Sequence, residues 1–123
     1  MNAITTCPSR LLVIEDDPVL CADLGDYFRD RNHRVTLCRD GAEGLALARD
    51  GDFDLVLLDI LLPGLDGLAL LARLRETSPV PVILLSALGD EQDRITGLVR
   101  GADDYLPKPV SYTHLTLPTK RIV

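Results

Sequence analysis

The chain has 123 residues, of which 46% are hydrophobic and 26% charged, and its formal net charge is −6. That is the profile of one folded domain with a single core, and it excludes a disordered segment. The acidic balance excludes a chain that itself grips a phosphate backbone, since that task needs a clustered basic surface; no window approaches the roughly 18 uninterrupted apolar residues of a membrane span, and MNAITTCPSR has no apolar signal core.

Apolar runs and helical patterns alternate from Arg10 to Pro107 with no linker between them. RLLVIED predicts a first strand. PVLCADLGDYFRDR predicts a helix, with Pro18 suited to its first turn and Leu20, Leu24, Tyr27 and Phe28 near one face. HRVTLC reads as a second strand. DGAEGLALARD then offers Asp40 as a cap for a small Ala/Leu-rich helix, and DLVLLD is the third strand. DGLALLARLRE carries Leu68, Leu71, Ala72 and Leu74 at helical spacing, and PVPVILLS is the fourth strand. DEQDRITGLVRG is a polar, acid-started helix stopping at Gly101, and DYLPK is a short fifth strand. Strict alternation, with continuous hydrophobicity in strands one, three and four, predicts a doubly wound α/β domain whose parallel sheet is covered on both faces. Cys7, Cys21 and Cys38 show no CxxC or Cys/His ligand spacing, the pattern of reduced, mostly packed thiols in a cytoplasmic protein.

Ligands of open α/β sheets bind beyond the carboxyl ends of the strands, where the strand order reverses. Those ends carry Glu15-Asp16-Asp17, Asp59, Ser86 and Lys108. Crowded carboxylates repel unless a cation sits among them, and an oxygen-only set that leaves room for water suits Mg²⁺ better than Zn²⁺. A phosphoryl group brought to the same edge would be neutralised by the metal and by Lys108. Taken singly, each feature has a plainer explanation: EDDP can complement a helix dipole, a lone Asp can cap a turn, and a lysine before proline is normally solvated. Their joint placement at successive strand ends favours a site.

The segments LLVIEDDP, LVLLDILLPGLDG, VILLSA and GADDYLPKP, in that order and spacing, resemble the receiver domain of two-component response regulators over residues 10 to 110. RITGLVRGADDYLPKP is similar to the OmpR/PhoB-like subfamily, whose receivers precede a winged-helix DNA-binding domain. The resemblance implies a flavodoxin-like fold with five parallel strands in the order 2-1-3-4-5. It also implies that Asp59 takes a phosphoryl group from a phosphohistidine of a sensor histidine kinase. Asp16 and Asp59 would ligate Mg²⁺ with the backbone carbonyl of Leu61, and Glu15 would act through a water. Lys108 would contact the phosphoryl oxygens, Ser86 would hydrogen-bond them, and Tyr105 would be the coupled aromatic switch. The same likeness places Arg94, Asp103 and Asp104 on a face that pairs two phosphorylated receivers in the intact protein, where exposed ion pairs set register more than affinity. Any DNA contact would come through an output domain beyond this chain. A stand-alone receiver or phosphorelay module is the alternative. An aspartyl-nucleophile phosphatase is weaker, because Leu61 stands where that class needs a second acid.

After Val110 the sequence SYTHLTLPTKRIV replaces the amphipathic fifth helix expected of the family. It has no 3.6-residue apolar stripe and carries Pro118 in its middle. It resembles translated adapter or junction sequence more than a natural domain end. The expected division is therefore an N-terminal extension over 1–9, a receiver over 10–110 and an irregular tail over 111–123. Without the fifth helix the chain is expected to fold marginally and to dimerise poorly.

Overall fold

The computed structural model describes residues 9–62, 65–87, 95–96, 99 and 101–108. Among the described residues, eight elements have defined bounds, in chain order β1 (Arg10–Ile14), α1 (Pro18–Arg29), β2 (Arg34–Cys38), α2 (Gly41–Asp50), β3 (Leu55–Asp59), α3 (Gly67–Arg75), β4 (Val82–Ala87) and β5 (Asp104–Lys108). The strands form one parallel sheet in the order β2-β1-β3-β4-β5. The chain thus leaves β1 toward β2 on one side and returns to β3 on the other, which puts the switch point between β1 and β3.

The helices begin where the sequence supplies caps. Asp17, Asp40 and Asp66 each accept a backbone N–H of the following turn, from Val19, Glu43 and Leu68 respectively, which satisfies donors that no earlier turn can. Arg29, Arg49, Arg73 and Arg75 lie in the last turns, where positive charge meets the carbonyl ends. Strand limits differ slightly from the sequence reading. The first strand stops at Ile14, before the acids, and the fourth starts at Val82 because Pro79 and Pro81 have no N–H to give a ladder. Of the acid-started helix expected up to Gly101, Ile95, Thr96 and Val99 are helical. Arg94 and the other positions of that segment before Gly101 lie outside the described residues, as do Cys7 and residues 109–123.

Core residues divide between the two sheet faces. Leu12, Ile14, Val56, Leu58, Val82 and Leu84 pack with α2 and α3 through Leu45, Ala48, Leu70, Leu71 and Leu74. Leu11, Val13, Leu55, Leu57, Ile83 and Leu85 pack with Cys21, Leu24 and Phe28. Both faces of β1 and β3 are therefore apolar, the reason their runs are continuous rather than alternating. Each fully buried leucine contributes roughly 1.5–3 kcal/mol, so the sheet centre is rigid and its carboxyl ends are fixed in space. Among the described residues, no helix is long and apolar enough to cross a membrane.

Candidate functional site

β1 and β3 lie side by side, with Ile14 paired to Leu58, so the residues that follow them emerge together. Glu15 is fully buried, Asp59 is 3% exposed and Asp16 is half-buried. One carboxylate oxygen from each of the three lies within 4.8 Å of the others. Lys108, brought by β5 from the far side of β4, places Nζ 3.0 Å from Asp59 Oδ2 and 3.1 Å from Glu15 Oε1. Ser86 is buried near the end of β4, opposite Pro107 in the β4–β5 register. Tyr105 is half-buried on β5, opposite Leu84. The sheet thus gathers Glu15, Asp16, Asp59, Ser86 and Lys108 at its carboxyl edge.

Backbone donors complete the arrangement, and these were not foreseen from the sequence. The Leu61 N–H donates to Asp59 Oδ1 at 3.2 Å, while the Leu61 side chain is 69% exposed. The Asp17 N–H donates to Glu15 Oε2 at 3.1 Å. Arg39, just after β2, donates from Nε to the Asp16 carbonyl at 3.1 Å and steadies the β1–α1 turn. Asp17 itself serves as the α1 cap.

The electrostatics are those of a crowded acid pair with one cation. Burial, with the Asp59 carboxylate alongside, pushes Glu15 up to about 7 despite the Asp17 N–H and Lys108. Burial works against the Lys108 ammonium, but Asp59 and Glu15 outweigh it and hold its pKa above the ordinary lysine value. Glu15 Oε1 is buried without a directed hydrogen bond, its neighbour Lys108 Nζ notwithstanding. A desolvated oxygen of this kind, in a set made only of carboxylates, fits a hard divalent cation. The cluster can therefore hold a metal ion. Burial also raises the thiols of Cys21 and Cys38, which makes both poor nucleophiles.

Asp103 and Asp104 are exposed at the start of β5. Asp103 is more than a surface charge, because its Oδ2 accepts the Val82 N–H at 2.8 Å and meets Arg75 Nη2 at 3.2 Å.

Residues 11–119 match the response regulator receiver domain family. The chain is 60% identical over 114 residues to the transcriptional activator protein PfeR of Pseudomonas aeruginosa, covering 93% of this chain and 37% of that protein. It superposes on the receiver domain of the TMAO respiratory regulator TorR with a TM-score of 0.84 at 39% identity, covering 94% of this chain and 96% of that one. A receiver domain of a sensor histidine kinase of Pseudomonas aeruginosa, solved with magnesium in its active-site cleft, matches at a TM-score of 0.80 and 32% identity over 94% of each chain. The chain belongs to the response regulator receiver family, a class of signalling domains rather than classical enzymes. It is a receiver of the kind carried by transcriptional regulators, and it spans between 37% and 50% of the length of the curated relatives it matches.

Proposed function

We propose that Asp59 is the phosphoacceptor of a two-component switch. The observation that carries this reading is the Asp59 carboxylate at the β1/β3 switch point, with a lysine on one oxygen and two further acids beside it. An Asp59 oxygen attacks the phosphorus of a phosphohistidine on a sensor histidine kinase. The P–N bond breaks, its electron pair returns to the imidazole nitrogen, and an acyl phosphate forms on Asp59. The Leu61 N–H orients the attacking carboxylate, and Lys108 follows the charge from Asp59 to the phosphoryl oxygens. Asp16, Asp59 and the Leu61 carbonyl would hold Mg²⁺, with Glu15 acting through a water; when bound, the ion offsets the charge of the incoming phosphoryl group. Ser86 would hydrogen-bond that group, and Tyr105 would report it to the β5 face. The chain catalyses only its own phosphorylation and dephosphorylation. In the intact protein, Arg94, Asp103 and Asp104 would pair two receivers, and a DNA-binding output domain would act in the cytoplasm. An aspartyl phosphatase is disfavoured by Leu61, which offers no acid two residues past the nucleophile.

The test is intact-mass spectrometry after incubation with acetyl phosphate and Mg²⁺. A single phosphoryl adduct that needs Mg²⁺ and is lost in Asp59→Asn is the expected result; an adduct surviving in the variant would defeat the assignment. A further expectation concerns lifetime. Leu61 presents an apolar side chain beside the site and hinders an attacking water, so Leu61→Asn should speed loss of the adduct about fivefold, equivalent to ~1 kcal/mol of barrier. Decay followed by mass after removal of the donor checks it, and an unchanged half-life counts against apolar cover.

A further inference from the structure

We propose that Arg75 is a positioning residue for Lys108, acting through a bracket that it builds at the start of β5. Arg75 ends α3 with its side chain 20% exposed, and it uses three donor positions at once. Nε donates to the Gly101 carbonyl at 2.9 Å, Nη1 to the Ser78 carbonyl at 3.1 Å, and Nη2 to Asp103 Oδ2 at 3.2 Å. The same Asp103 oxygen accepts the Val82 N–H at 2.8 Å, and the Asp103 N–H donates to the Val82 carbonyl at 2.9 Å. One guanidinium thus ties the end of α3 to the start of β5, and Asp103 ties that start to β4. Gly101 is part of the fit. Its φ is +117°, and a Cβ there would sit 3.0–3.2 Å from Nε, Cγ and Cδ of Arg75.

Lys108 depends on such an anchor because it sits at the far end of an edge strand. Among the described residues β5 pairs with β4 alone. Its register runs from Ile83 opposite Asp104 to Ala87 opposite Lys108, so a shift at the Asp103 end is carried along the strand to the lysine, about 16 Å away at 3.3 Å per residue. Loosening that end lets Nζ drift from Asp59 and Glu15. The role rests on the phosphoacceptor reading above, in which Lys108 acts on the phosphoryl group.

A double-mutant cycle separates positioning from plain stabilisation. Initial rates of Mg²⁺-dependent phosphorylation by acetyl phosphate would be measured for the full chain, Arg75→Met, Lys108→Ala and the double variant, with thermal melts alongside. Arg75→Met should slow the unsubstituted chain about tenfold and change the Lys108→Ala rate less than about twofold. An equal loss in both backgrounds, or none in either, overturns the proposal while leaving Asp59 as acceptor. No adduct on the unsubstituted chain overturns the phosphoacceptor reading and this one together, whereas a Lys108→Ala rate equal to that of the unsubstituted chain overturns this proposal and the role given to Lys108. If Arg75→Met does not fold, Arg75→Lys and Asp103→Asn take its place in the same cycle. Both weaken the bracket while keeping side-chain size close.

Discussion

Gly67→Ala is expected to destabilise the fold by about 3 kcal/mol or more and to abolish the Asp59 adduct. Gly67 opens α3 directly above the end of β3, and its N–H donates to the Ile60 carbonyl at 2.8 Å. A Cβ at this position would collide with the Asp59 carbonyl oxygen and would stand 2.7 Å from Ile60 Cα and 2.9 Å from Ile60 O. All three obstacles are backbone, and they belong to the residues that aim the acceptor carboxylate. Relief requires moving either α3 or the strand end. Gly44 is the instructive contrast. The three atoms nearest a Cβ there are side-chain carbons of Ile14, at 2.7–2.9 Å, so relief moves that buried side chain and not the strand end that carries Asp59. Gly44→Ala should therefore cost about 2 kcal/mol and leave phosphorylation intact. Urea titrations followed by circular dichroism, paired with adduct mass, test both. Equal losses for the two glycines would refute the argument from backbone contact.

In EDTA the protein should lose stability as pH rises from about 4.5 to about 7. Glu15 is pushed up to about 7 in the fold, by burial and then by Asp59 beside it, from an ordinary value of 4.5. Between those values the folded state holds the proton and the unfolded chain has released it. Stability tied to this group is thus complete below the lower value and lost as pH climbs through the upper one. At 1.36 kcal/mol per unit the difference amounts to ~3 kcal/mol, or roughly 10 °C in Tm for a domain of this size. Glu15→Gln should remove the slope, and the difference between the two chains isolates Glu15 from other titrating groups. Millimolar Mg²⁺ should flatten the profile of the unsubstituted chain, since a cation replaces the proton. A metal-free profile that rises with pH relative to Glu15→Gln would refute this account.

The sheet and the site were legible for the same reason. Strands buried on both faces give continuous apolar runs, and a run that stops on Asp59 or on Glu15-Asp16 marks a carboxyl edge. Asp40 announced a helix start because caps act within three residues. The Arg75 bracket left no such trace. Its bonds to Gly101 and Asp103 span 26 and 28 residues, and nothing local distinguishes that arginine from Arg73. Arg39 on the Asp16 carbonyl was hidden likewise, across 23 residues. Asp103 read as an exposed charge suited to pairing two receivers, and the fold gives it an internal task as well. The upward push on Glu15 is a tertiary property, because only the packed sheet takes away its water.

The strand order also couples the charge of the site to completion of the sheet. Glu15 and Asp59 meet only when β1 and β3, 44 residues apart in the register, have paired. Lys108 joins them only when β5 docks on β4. A sheet without that edge strand holds two buried acids with no cation between them, so docking of β5 and neutralisation of the site are one event. A folding phase sensitive to Mg²⁺ would be its signature.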